Sequence, residues 1–203
     1  MPPLARHRLQ DLAGSARRRV AGPLLGPEWP RGLPRPEPPR RVGIDYDTEW
    51  SRRYPVRLAR AALFDYLARP LVRAVASPAV VGAEALAEVP QPMVLAANHA
   101  SHLDTPLVLS ALPARLRHRV VVAAAADHFF DSTWKATLWS FAVCAIPIER
   151  HRIERRSAAQ AVALIEQGWS LLIYPEGGRS PDGWGQAFRG GAAYVAKRTG
   201  APV

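Results

Sequence analysis

A chain of 203 residues with 48% apolar side chains suits one domain plus an appendage, and its formal net charge of +10 points to an anionic partner: a phosphate-bearing ligand, an acidic protein or a negative membrane surface. Its single cysteine, Cys144, excludes an internal disulfide framework and a cysteine-based zinc site, and within FAVCAIPI it reads as a small buried apolar residue. No segment has the long uncharged apolar run of a spanning helix, and no apolar signal core follows the basic N-terminus, so neither a spanning nor a secreted chain is expected.

Residues 1–55 hold 11 basic and 6 acidic side chains, half of the positive excess of the whole chain. Within them GPEWPRGLPRPEPPRR cannot form a helix or an inner strand, because proline removes backbone donors and fixes φ. A disordered basic tail is expected over 1–55, either a solvated leader or an electrostatic tether to anionic lipid. The pattern then changes over 56–77. In VRLARAALFDYLARPLVRAVA, the residues Val56, Leu63, Phe64, Leu67, Leu71 and Val75 share one helical sector, opposite Asp65, Arg69 and Arg73. This predicts an amphipathic helix, kinked at Pro70, that either packs on the domain's own core or lies in a membrane interface.

Over 78–203, short β-branched or apolar runs alternate with helical segments. They are AVVGAE, PMVLAAN, a helix near Pro106 to Leu112, HRVVVAAAA, a helix near Ser132 to Ala142 and CAIPIER, followed by a helix near Ser157 to Gln167, SLLIYPEG, a helix near Gly190 to Thr199 and APV. Such alternation specifies an α/β domain, a sheet with helices on both faces. The chain stops at Val203 as another apolar strand begins, so the domain is expected to be truncated at its C-terminus.

Chemistry concentrates where two of these strands end. If PMVLAA closes at Asn98, then His99 lies at the carboxyl edge of the sheet, where α/β folds place their ligands. The loop 100–103 lets the Asp104 carboxylate fold back on the imidazole, fixing its tautomer and stabilising the imidazolium formed when the other ring nitrogen takes a proton. Asp104, Thr105 and Pro106 equally suit a helix N-cap with proline in the first turn. A metal site would need a third ligand and an open position, and His102 and Asp104 two residues apart suit one poorly. Without a G-x-S-x-G elbow, a histidine base implies direct attack by an activated substrate hydroxyl.

After SLLI, YPEGGRSPDG places glycines where backbone N–H groups can approach an anion, and Arg179 adds a planar fork suited to phosphate. Arg150 closes AIPIER at the same edge, while Arg152, Arg155 and Arg156 read as a solvated basic face. The six tryptophans are scattered over tail, helices and loops, so the interleaved aromatic and basic pattern of a nucleic-acid binder is missing.

These residues resemble the glycerolipid acyltransferase family, whose bacterial members include the lysophosphatidic acid acyltransferases. His99, four intervening residues and Asp104 look like its first block. IPIER, ending in Arg150, resembles the second; YPEGGRS resembles the third, usually F-P-E-G-T-R-S; GAPV looks like the start of the fourth. The four occur in family order across 94–203. The resemblance implies a glycerolipid-acyltransferase-like sheet and a peripheral enzyme of phospholipid biosynthesis on the cytoplasmic face of the membrane. It would move a fatty acyl group from acyl-CoA or acyl carrier protein to the free hydroxyl of lysophosphatidate, giving phosphatidate, with no metal or bound cofactor. Another lysolipid as acceptor, or an inactive lipid-surface binding protein, is the alternative.

Carried over residue by residue, His99 would be the general base and Asp104 its orienting partner, while Arg150, Glu176, Gly177 and Arg179 would form the acceptor's phosphate site. AFRGG resembles the F-K-x-G that follows the third block, which adds Phe188, Arg189 and Gly191 as secondary candidates, Arg189 for the phosphate. Two positions depart from the pattern: Tyr174 adds a hydroxyl to a ring usually supplied by phenylalanine, and Gly178 lacks the usual threonine's hydroxyl.

Overall fold

The computed structural model describes residues 42–149 and 155–203. In these, four parallel strands, β1 (Val94–Ala96), β2 (Val120–Ala125), β3 (Ala145–Ile148) and β4 (Ser170–Ile173), form one sheet in the order β1-β4-β2-β3. Alternate residues of a strand point to opposite sides of the sheet. Val121, Ala123 and Leu171 accordingly meet α7 (Arg155–Glu166) and α8 (Gly191–Thr199) through Ala161, Leu164, Ala192 and Val195. Val120, Val122 and Leu172 meet the other layer, in which Leu109 of α3 (Asp104–Ala111), Leu116 of α4 (Ala114–Arg117) and Phe64 are buried. The fold is α/β with helices on both faces. Burial on both sides explains why β2 reads VVVAAA without a polar residue. Pro147 falls in β3, an edge strand, where a missing donor is tolerated.

Between β2 and β3 the chain forms α5 (Ala126–Phe129) and α6 (Thr133–Val143). The AVVGAE run does not join the sheet. Val80 and Val81 are exposed, Gly82 takes φ +76°, and a 3-10 turn follows at Ala83–Ala87. The left-handed glycine turns the chain before its β-branched residues meet a partner strand. No strand is assigned over 201–203 either, although the Val94 N–H donates to Pro202 O at 2.8 Å.

Residues 1–41 of the expected tail lie outside the described residues. Residues 42–53, assigned to the same tail, pack on the domain instead. The Gly43 N–H donates to Phe130 O at 2.6 Å, the Tyr46 and Phe130 rings lie 5.8 Å apart, and Thr48 and Ser51 are buried. GIDYDTEWS has no proline and carries Tyr46, whose ring meets Phe130.

The expected helix forms as α1 (Tyr54–Leu63) and α2 (Arg69–Ala76), joined without a break by a π turn over Phe64–Ala68 in which the Arg69 N–H reaches the Phe64 carbonyl. The wider turn stands just before Pro70, whose ring would press on a carbonyl one turn back in a regular helix. Its apolar stripe is not covered by the described domain: Phe64 is buried, but Leu63, Leu67, Leu71 and Val75 are exposed, Val75 by 70%. Toward the domain the helix presents Arg60, which donates to Ser51 O at 2.7 Å, and Asp65, which holds Arg117 at 2.9 Å and His118 at 2.8 Å.

Leu172 is fully buried in β4, between two neighbouring strands. Leu172→Ala is expected to cost about 2–5 kcal/mol, the range for an unfilled core site, read as a lowered midpoint in urea unfolding with an unchanged slope.

Candidate active site

β1 and β4 are neighbours in the sheet, so the loops leaving their carboxyl ends, 97–103 and 174–190, meet over one edge. Backbone bonds join them: the Ser180 N–H donates to His99 O at 2.7 Å. His99 Nδ1 lies 2.8 Å from Asp104 Oδ2, both side chains being 19% exposed. A carboxylate only accepts, so Nδ1 carries the proton and the neutral ring keeps its lone pair on Nε2.

Asp104 is the first residue of α3, and of the two roles the sequence left open its carboxylate takes the one on the imidazole rather than the helix cap. Oδ2 turns back and accepts the N–H groups of Ala100 at 2.7 Å and Ser101 at 2.8 Å as well as the imidazole. Burial pushes this carboxyl upward, but the Ser101 N–H, the His99 ring and the Ala100 N–H outweigh it and hold Asp104 below the usual carboxylate range. One short loop thus fixes both members of the pair.

Tyr174 supports the imidazole from the other side. Its ring stacks on His99 with centroids 4.1 Å apart and planes at 18°, and its hydroxyl bonds Thr105 Oγ1 at 2.8 Å. Burial, added to by the Asp104 charge, pushes the phenol up to about 12, so it stays protonated.

Glu176 is buried, and each of its oxygens accepts a backbone N–H: Oε1 that of His99 at 2.9 Å and Oε2 that of Gln186 at 3.0 Å. It is a clamp between the loops. Next to it Gly177 takes φ +73°, and a Cβ there would come within 2.6 Å of Arg189 Nε, so the arginine stem crosses this backbone closely.

The expected phosphate residues do not share one position. Arg150 lies outside the described residues. Arg179 Nη1 contacts His102 Nε2 at 2.5 Å, on the His99 side of the edge. Arg189 is tied by its N–H to Pro175 O at 2.8 Å and lines an apolar cleft on the α7/α8 side of the sheet. That cleft lies between Ile148, Ala161, Leu171, Ile173, Ala192 and Val195, and its space, about 750 Å³ with the open solvent at its mouth included, is mostly apolar-walled. Gly191 and Tyr174 also line it, while the Tyr174 side chain packs with Leu172 and Val120 on the other face of the sheet. Phe188 is exposed, and a Cβ at Gly178 would meet nothing within 4 Å, leaving open the space that a threonine would fill. Among the described residues, no group of three His, Cys, Asp or Glu side chains could hold a metal ion.

Three contributors escaped the sequence reading: Tyr174 as a stacking support, Thr105 as its anchor, and His102 as the partner of Arg179. Thr105 and His102 flank Asp104 in NHASHLDTP, which was the only signal for them.

A family model described as Acyltransferase matches residues 78–203. No curated protein gives a significant match. Among solved structures, the chain is similar to the crystal structure of the 1-acyl-sn-glycerophosphate (LPA) acyltransferase PlsC from Thermotoga maritima, at 22% identity and a TM-score of 0.45 over 77% of this chain. It spans 60% of the length of that protein chain.

Two outcomes follow from the geometry. Because the folded-state pKa of Asp104 is depressed, its ionised form contributes stability above the unfolded pKa, near 4, and that contribution is lost as pH falls through the folded value. Asp104→Asn should therefore unfold at lower urea than wild type at pH 7, with the difference closing below about pH 4; a gap that persists in acid would contradict this. Glu176→Gln leaves one acceptor for two N–H groups and should destabilise the fold by about 1–3 kcal/mol in urea unfolding.

Proposed function

Because the chain belongs to the acyltransferase family, we propose that it is an O-acyltransferase moving a fatty acyl group from acyl-CoA or acyl carrier protein to the free hydroxyl of lysophosphatidate, giving phosphatidate. The observation that carries this reading is the His99–Asp104 pair beside an apolar cleft, with Tyr174 touching both. An acyl chain needs an apolar slot and a hydroxyl needs a base, and here residue 174 borders the first and stacks its ring on the second.

The step runs as follows. The acceptor hydroxyl gives its proton to His99 Nε2 while its oxygen bonds to the thioester carbonyl carbon. The resulting imidazolium is stabilised by the Asp104 carboxylate on Nδ1. Collapse of the tetrahedral intermediate reforms the carbonyl and expels the thiolate, which takes the proton back from Nε2. The acceptor's phosphate lies at Arg179, whose guanidinium His102 steadies.

A peripheral place at an anionic membrane surface fits the uncovered stripe of Leu63, Leu67, Leu71 and Val75, whose helix also carries Arg69 and Arg73. No described helix is long and apolar enough to cross a membrane. Trp184 and Phe188, exposed on the loop after β4, are further apolar side chains open to such a surface.

The test is thiol release from an acyl-CoA with and without lysophosphatidate vesicles. His99→Ala should lower acceptor-dependent release by about 10²–10⁴ in protein that still unfolds cooperatively, the lost Asp104 bond and Tyr174 stack lowering only the midpoint, and wild-type turnover in that variant would remove His99 from the chemistry. Arg179→Ala should raise KM for lysophosphatidate more than it lowers kcat; an unaltered acceptor dependence would take Arg179 out of the phosphate site.

A further inference from the structure

We propose that the cavity between the α1–α2 helix and the sheet, lined by Arg60, Arg117 and His118, holds a small inorganic anion of chloride's size that neutralises the inward-facing charge of the helix. Such a site does not depend on the proposed reaction.

The helix stands with its charge inward. Leu58, Leu63, Leu67, Leu71 and Val75 are exposed, whereas Arg60 is buried and Arg57 and Arg69 are half-buried on the domain side. Over 54–76 the sequence sets these three and Arg73 against a single acid, Asp65. That acid is already held by the domain, where Arg117 Nη2 meets it at 2.9 Å and His118 Nε2 at 2.8 Å. The interface therefore keeps more positive than negative charge away from water.

Arg60 shows the imbalance most plainly. It is 8% exposed, and its Nη1 donates to Ser51 O at 2.7 Å, a neutral acceptor. Among the described residues it forms no ion pair with a carboxylate. Burial pushes its guanidinium down; the Cys144 thiol opposes this, and Arg57 and Arg52 add to it. Arg117 is 6% exposed and donates to Leu112 O at 2.7 Å, but its Nε is buried without a hydrogen-bond partner. The Nε atoms of Arg57 and Arg69 are buried in the same condition.

Arg60 and Arg117 line one cavity, with His118 beside them and Phe64, Leu109 and Val143 on its apolar walls. It lies where the helix widens into the π turn that begins at Phe64. Its space is about 270 Å³ with the solvent at its mouth included, less than the roughly 300–1,000 Å³ of sites for organic ligands. A water molecule would accept hydrogen bonds there but leave the charge uncompensated, and buried charges are ordinarily paired. A monovalent anion does both. It accepts N–H groups from the two guanidiniums and supplies the negative charge that Asp65 alone does not. Held there, it fastens the helix to α4 and β2 without covering the apolar outer face.

The test reads the unfolding constant of the full chain from urea curves at fixed ionic strength, with chloride exchanged for gluconate, an anion too large for the cavity. An anion that binds only the folded state adds its binding to stability. The wild-type unfolding constant should therefore fall about tenfold for each tenfold rise in chloride above the dissociation constant. Arg60→Met and Arg117→Met should each remove most of this dependence, and Arg198→Met, which deletes an exposed arginine of α8, should leave it unchanged. Should the cavity variants fail to fold, bromide-soaked crystals of the wild type decide, with anomalous signal expected between Arg60 and Arg117. A wild type indifferent to chloride, or a dependence that both cavity variants keep, would overturn the assignment. So would water alone in the cavity, or bromide there without chloride dependence in solution, which is binding at crystal concentration only.

Discussion

One buried carboxylate holds the working edge of this protein together. Glu176 accepts the His99 N–H with one oxygen and the Gln186 N–H with the other, across loops whose residues lie 77 positions apart in the chain. Only a carboxylate offers an acceptor on each oxygen with no proton in the way, so glutamine cannot replace it without orphaning a donor. The dyad sits on one of the joined loops and Arg189 on the other. Their separation is set by this clamp and by the Ser180 N–H to His99 carbonyl bond that runs alongside it.

The clamp is possible because of strand order. β4 lies next to β1, so segments far apart in sequence leave the sheet side by side. The β1 loop supplies His99, the proposed base, and Asp104, the carboxylate bonded to it. The β4 loop supplies Tyr174 against the imidazole, Glu176 beneath it, and the arginines beyond. The apolar cleft opens on the α7/α8 side of the same strands, where Ala161, Ala192 and Val195 line the interior. His99, the apolar cleft and Arg179 therefore all lie by the carboxyl ends of the same strands, and in the proposed reaction much of the rate advantage would come from holding reactants together.

Much of this was legible in the sequence, and what was not has a common physical cause. The alternation of apolar runs and helical segments foretold the sheet and its covering helices, because strand and helix periods are local properties. The loop between His99 and Asp104 foretold their contact for the same reason. Glu176 was assigned to a phosphate, although its partners turn out to be backbone donors from elsewhere in the fold. The Tyr174–Thr105 and Arg179–His102 contacts likewise arise only once β1 and β4 pair. Arg179 and Arg189, ten residues apart in one loop, read as one cluster; in the fold Arg179 meets His102 and Arg189 lines the cleft. AVVGAE failed as a strand because β-branched composition does not supply a partner, and residues 42–53 failed as tail because Tyr46 and the Gly43 N–H found one in Phe130.

The most direct test of the central claim is the fate of the acyl group itself. Full-length protein would be incubated with an acyl-CoA labelled in the fatty chain and with vesicles containing lysophosphatidate, and the lipid products separated. Label in phosphatidate, dependent on the acceptor, is the expected result. Label released only as free fatty acid, or retained wholly in the thioester with carrier-protein donors tested in parallel, would contradict acyl transfer by the His99–Asp104 site.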